Sequence, residues 1–227
     1  MTDGLILKLK NDIVKAAKEI YNKDLVEAGE GNISARIPEK EELLITPTFN
    51  KYYDLTPEEV VQIKFDGTLL SETRKPSTEY RLHVDIYKAR PRAQFVIHSH
   101  SPFATMLSVA RIHKLPVLLE EQVIFLGGTV NVSEFARAHT HDFGKKAIEA
   151  MGTKNGVILA NHGTLACGRN VEHAIKMIEL IEKLSRIYYG ATQMGGAYEI
   201  AEESCSRFLD NFDKEFATHT QVEGKCD

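Results

Sequence analysis

Three histidines stand where strands could aim them at one point. In Phe95-Val96-Ile97-His98-Ser99-His100 the apolar run predicts a buried strand, and residues i and i+2 of a strand project to one face. Both imidazoles can therefore reach a common spot. A second apolar run, Val157 to Ala160, leads through Asn161 into His162 and Gly163. Two adjacent strands that each end in histidine could bring three nitrogens to one metal. Gly163 would give the backbone room to turn directly after the third ligand. Three histidines with an open fourth position describe a catalytic zinc site rather than a closed structural one. The same residues also read as strand-end histidines bonded to backbone or water.

A second group is Lys75-Pro76-Ser77-Thr78-Glu79. Ser77 and Thr78 fit a helix N-terminus, where a hydroxyl accepts from free N–H groups and where an anion can also bind. Glu79 in a first turn complements the helix dipole, and taken alone it is a helix residue. His83 falls on the same helix, and packing against the site wall is its simplest role. His113, His173 and His219 read as solvated. His139 and His141 lie in a predicted helix over 133–151, where i, i+2 spacing sends them to different faces, so neither is expected to be a ligand.

The elements that must position these groups follow from periodicity. Residues 5–22 carry Leu5, Leu9, Ile13, Ala16, Ala17 and Ile20 at helical spacing. Ile33–Ile37 and Leu43–Ile45 read as a hairpin, and 56–61 as a helix start with Pro in its first turn. Val61–Phe65 is a third strand closed by the Asp66-Gly67 turn. Helices are predicted at 78–90, 101–110, 133–151, 171–189 and 198–217, and short strands at 95–97, 130–132 and 156–160. No repeat or low-complexity linker divides the chain. The expected fold is one α/β domain over 1–227, with helices flanking a central, mainly antiparallel sheet.

Composition narrows the function classes. Hydrophobic residues make up 43% and charged residues 26% of the 227, an ordinary globular balance. A net charge of -4 with no long Lys/Arg run provides no basic field for nucleic acid or anionic lipid. No run approaches the ~20 apolar residues of a membrane span, and the first helix is charged throughout, unlike a signal peptide. Cys167, Cys205 and Cys226 form no CxxC pair, which fits a reduced cytoplasm. Cys167 sits in an apolar run and is expected to be a buried thiol.

Five segments in this order resemble the class II aldolase/epimerase (adducin head-like) family: GEGNISAR (29–36), LLITPT (43–48), KPSTEYRLH (75–83), VIHSHSPFATML (96–107) and ILANHGTLACG (158–168). The motif pattern is closest to that of the L-fuculose-1-phosphate aldolases. The resemblance implies a three-layer fold and one zinc ion per subunit on His98, His100 and His162, with Glu79 as acid/base. It also implies a phosphate pocket matched by Gly31, Asn32, Thr48, Ser77 and Thr78. The family's acid is Glu in the aldolases and Asp in the epimerase, so Glu79 points toward aldolase. A cytoplasmic homotetramer with active sites at subunit contacts is implied as well.

Three departures qualify that picture. Phe49 stands where the aldolases place a Gly after ITPT. The Tyr that reaches a neighbouring subunit's site, expected between Pro116 and Gly127, is absent, and Glu120 or Glu121 from an adjacent subunit is the substitute considered. The last twelve residues contain no Tyr. The expected function is reversible cleavage of a ketose 1-phosphate to dihydroxyacetone phosphate and an aldehyde through an enediolate stabilised by zinc. A sugar-phosphate 4-epimerase, a decarboxylase or a dehydratase of the same fold would share that step. A non-catalytic adducin-like binding domain would have lost the ligands.

Overall fold

A computed structural model of the chain describes residues 2–219, apart from 28, 50, 72–73 and 111. Cys226 lies outside the described residues. Six strands form one sheet: β1 (Asn32–Arg36), β2 (Glu42–Ile45), β3 (Val61–Lys64), β4 (Phe95–Ser99), β7 (Gly156–Leu159) and β8 (Gly163–Gly168). Their order is β3-β2-β1-β4-β8-β7, and every neighbouring pair is antiparallel. A two-stranded ribbon, β5 (Lys114–Leu115) with β6 (Val130–Asn131), stands apart.

Strand β4 is buried along its whole length because helices cover both faces of the sheet. Helices α1 (Thr2–Asn22) and α6 (Val171–Gln193) cover one face, where Ile13, Ile20, Ile178 and Leu184 pack with Ile33 and Ile97. Helices α2 (Tyr80–Ala89) and α5 (His141–Met151) cover the other, where Ile86 and Phe143 pack with Ile45, Val96 and Leu165. Each such fully buried aliphatic side chain contributes roughly 1.5–3 kcal/mol of transfer free energy. The sheet is thus an anchored platform, and its β1–β4–β8 centre carries the histidine motif. No helix among the described residues is long and apolar enough to cross a membrane.

Several expected elements are redrawn. His162 does not end a strand adjacent to β4. It sits in the 160–162 loop between β7 and β8, and β8 is the strand that pairs with β4. The helix expected over 133–151 starts only at His141, because His139 is left-handed (φ 67°) and Thr140 is extended. The helix start at 56–61 is a single 3₁₀ turn, Pro57–Glu59. The helix expected over 198–217 breaks into a 3₁₀ turn, Glu202–Cys205, then α7 (Ser206–Asn211) and a π-helical turn, Phe212–Phe216. Helix α3 (Pro102–Val109) was foreseen, whereas the seven-residue α4 (Glu120–Leu126) is too short for periodicity to announce. Cys167 is buried as expected, and Cys205 is buried too.

A candidate metal centre at the end of the sheet

Strand β4 delivers His98 within its ladder and His100 just beyond it, while the β7–β8 loop delivers His162. That loop is tightly held. Asn161 adopts φ 54°, its N–H donates to Ser108 Oγ at 3.1 Å, and Ala160 N–H donates to Ser133 Oγ at 3.3 Å. Phe143 of α5 packs edge-on against the His162 ring, with centroids 5.1 Å apart. Gly163 is needed for close approach rather than for turning. It lies in extended β8, where a Cβ would overlap the Ser99 carbonyl oxygen and come within 3.2 Å of His98 Cε1. On the other side of β4, Gly31 (φ 64°) brings its backbone to where a Cβ would stand 2.6 Å from His98 O.

The three rings converge with centroids 5.0, 5.0 and 5.1 Å apart, and one nitrogen from each lies within 4.8 Å of the others. His98 Nε2 and His100 Nε2 are 3.2 Å apart. Tetrahedral zinc with Zn–N bonds of ~2.0–2.1 Å separates its ligands by roughly 3.3–3.4 Å, so this spacing fits a shared ion. The other nitrogens have partners of their own. His98 Nδ1–H donates to Thr164 O at 2.8 Å, which leaves the lone pair on Nε2. His100 Nδ1 faces Glu30 Oε2 at 3.6 Å. Burial lowers the His98 pKa to about 4 and lowers that of His100, so both rings are in the neutral form that binds metal. The donor set therefore fits a divalent ion.

Glu79 reaches the same point from the loop before α2. It occupies the N-cap of that helix rather than its first turn, and its side chain makes no capping hydrogen bond. Its Oε1 lies 3.1 Å from His162 Nε2 and its Oε2 lies 3.4 Å from His98 Nε2. Asn32 Nδ2 donates to Oε2 at 2.8 Å. Burial works against the carboxylate charge, but His98 and the hydrogen bonds from His162 and Asn32 outweigh it. Together they hold Glu79 well below the usual carboxylate range.

Behind Asn32 runs a buried chain of hydrogen bonds. Asn32 Oδ1 accepts from His83 Nε2–H, His83 Nδ1 accepts from Ser34 Oγ at 2.7 Å, and Ser34 Oγ meets Tyr87 O–H at 2.8 Å. His83 is fully buried and burial lowers its pKa to about 3, so it is a neutral relay. Its place in the site wall matches expectation.

Two clefts open beside His100 and His162. One of about 420 Å³ is bounded by Asp24, Glu27, Glu30 and Thr105. The other, about 210 Å³, brings together Gly31, Asn32, Thr48, Ser77, Thr78 and Glu79, all named from the sequence. Backbone pairing between 46–48 and 75–77 joins the hydroxyls: Thr48 N–H donates to Lys75 O at 3.0 Å and Ser77 N–H to Thr46 O at 3.1 Å. Phe49 borders this cleft with its side chain 88% exposed and its backbone left-handed (φ 53°), the conformation a Gly adopts freely. The ring is turned out, and Arg74 holds the loop through Thr48 O at 3.2 Å and Phe49 O at 3.3 Å.

Sequence reasoning missed His139, which also borders the smaller cleft, and Glu182, which accepts from the N–H groups of Phe103 and Ala104 at 3.0 Å and so anchors α3 directly after His100. Glu120 and Glu121 open α4 and border neither cleft, and Glu121 is paired with Lys183 and Lys176. His173 and His219, expected to be solvated, are half-buried against Phe216 and Phe212.

A family model described as the Class II Aldolase and Adducin N-terminal domain matches residues 11–189. A 5-deoxy-D-ribulose 1-phosphate aldolase of Bacillus thuringiensis serovar kurstaki is 30% identical over 218 residues, covering 96% of this chain and 99% of that protein. A methylthioribulose-1-phosphate dehydratase of Pseudoalteromonas translucida is 30% identical over 185 residues, covering 77% and 87%. The solved structure of an L-fuculose 1-phosphate aldolase superposes with a TM-score of 0.85 at 28% identity, covering 91% of this chain and 96% of that one.

Proposed function

Since the chain belongs to the class II aldolase and adducin N-terminal domain family, whose relatives here are metal-dependent lyases, we propose that it is a zinc aldolase acting on a ketose 1-phosphate. The products are dihydroxyacetone phosphate and an aldehyde, formed reversibly. The observation that carries this reading is the convergence of His98, His100 and His162 with the Glu79 carboxylate set across them.

In cleavage the C4 hydroxyl loses its proton, the C3–C4 bond breaks, and its electron pair moves into the C2 carbonyl. C3 then takes a proton. His98, His100 and His162 would hold the zinc ion, which when bound would supply Lewis-acid stabilisation of the oxygen charge, worth several kcal/mol. Glu79 moves the C3 proton: its carboxylate removes that proton in the condensation direction and returns it in cleavage. Asn32 donates to Oε2, so Oε1, which faces His162 Nε2 at 3.1 Å, is the oxygen assigned to carry the proton. Ser77, Thr78, Thr48, Asn32 and the Gly31 backbone, which line the smaller cleft, bind the phosphate there. The outward Phe49 ring leaves that pocket open. The aldehyde oxygen needs a second acid, and Glu120 of an adjacent subunit is the candidate within a homotetramer, whereas Glu121 is committed to Lys183 and Lys176.

The substrate is a deoxyketose 1-phosphate, either the 5-deoxypentulose type named for one relative or the L-fuculose type named for another. The buried Cys167 thiol is in keeping with a reduced cytoplasmic setting. Dehydration is the second reading, favoured by the methylthioribulose-1-phosphate dehydratase relative, since the same carboxylate could remove the ketose C3 proton and the C4 hydroxyl then leave as water, through an enediolate like that of the aldol reaction. Product analysis separates the two. Incubation of the zinc-loaded protein with 5-deoxyribulose 1-phosphate should release dihydroxyacetone phosphate and acetaldehyde in equal amounts. Loss of water with an intact five-carbon chain would establish the dehydratase instead.

A further inference from the structure

His139 has no place in the metal cluster or in the motifs, yet it borders the same cleft as Thr48, Ser77 and Thr78. Its backbone is left-handed at φ 67°, a conformation uncommon for a residue with a side chain and concentrated at binding and active sites. Its Nδ1 lies 3.2 Å from Thr78 O. A carbonyl only accepts, so Nδ1 carries the hydrogen, and Nε2 is the ring nitrogen left to meet a ligand. The cleft also has an electrostatic deficit at this end. Glu30 and Glu79 both border it, no Lys or Arg is among its described lining residues, and His139 is the one lining group outside the histidine cluster that can carry positive charge. The nearby Arg74 is committed to Glu59 at 2.6 Å. A phosphate dianion presents only acceptors, and hydroxyl donors alone do not balance its charge.

We propose that His139 is a specificity-determining residue that binds the substrate phosphate as an imidazolium, anchored through Nδ1–H on Thr78 O and donating from Nε2–H to a phosphate oxygen. This inference rests on the sugar-phosphate reading above.

The test is direct binding of dihydroxyacetone phosphate and of dihydroxyacetone to the zinc-loaded protein by calorimetry. Wild type, His139→Ala and His139→Lys would be compared at matched zinc content and matched thermal stability. His139→Ala should weaken the phosphate ester roughly tenfold or more, as loss of a charge-assisted hydrogen bond requires. Dihydroxyacetone binding should be unchanged, and His139→Lys should recover part of the loss. If wild type prefers the ester over the free ketose and His139→Ala keeps that whole preference, His139 plays no part in it. If wild type shows no preference, the phosphate reading itself fails, and this inference with it.

Discussion

Asn32 donates a side-chain N–H to the Glu79 carboxylate across 2.8 Å, and both side chains are buried. The orientation of that amide is settled from behind, because His83 must donate to Asn32 Oδ1 if its other nitrogen accepts from Ser34. Each group in the chain from Tyr87 to Glu79 therefore has one consistent donor direction. Such a network fixes where a carboxylate sits far better than an exposed helix N-terminus could.

Removing any one ligand should empty the centre. His98→Ala, His100→Ala and His162→Ala are each expected to lose most bound zinc and essentially all activity, since a three-ligand site leaves no spare donor. Elemental analysis of purified protein measures this. A variant with stoichiometric metal and normal turnover would take that histidine out of the site.

Gly163 and Gly190 should respond oppositely to alanine. At Gly163 the new methyl meets the backbone of Ser99, so the β4–β8 contact must shift, and overpacking of this kind costs about 1–3 kcal/mol. Zinc affinity should fall with it. At Gly190, inside α6, a Cβ meets nothing within 4 Å, and helix propensity favours Ala by about 0.8–1 kcal/mol. Denaturant unfolding of both variants checks the contrast, which fails if Gly163→Ala is neutral.

The metal-free protein should lose stability as pH falls below about 6.5, the ordinary histidine pKa. His83 and His98 titrate near 3 and 4 in the folded state, so between those values and 6.5 the unfolded chain binds protons that the native one does not. Stability is then full above the unfolded pKa and falls by roughly 1.4 kcal/mol per pH unit for each group. By pH 5 the two together remove up to about 4 kcal/mol. Unfolding free energies at pH 7, 6 and 5 measure the slope, and a flat profile would mean that the rings are not buried neutral.

The histidine cluster was legible because strand periodicity places His98 and His100 on one side and because His162 follows an apolar run. Its true scaffold was less so. β8 begins and ends with glycine and reads as a motif tail, so the strand that separates β7 from β4 was invisible. His139 was hidden for a related reason: the helical spacing of 141–151 extends backward through it, and only the left-handed backbone at His139 shows that the helix starts later. Glu79 was found through its motif, but its hold on His98, His162 and Asn32 spans 19 to 83 residues of sequence and leaves no local trace.

The central claim is that Glu79 transfers the C3 proton beside a metal held by the three histidines, and hydrogen exchange tests it without any aldehyde. Zinc-loaded wild type in deuterium oxide should exchange one C3 hydrogen of dihydroxyacetone phosphate, followed by proton NMR. Glu79→Gln, isosteric and still zinc-loaded, should exchange at least roughly 10²-fold more slowly, as loss of a positioned general base predicts. Exchange by Glu79→Gln at the wild-type rate would contradict the assignment.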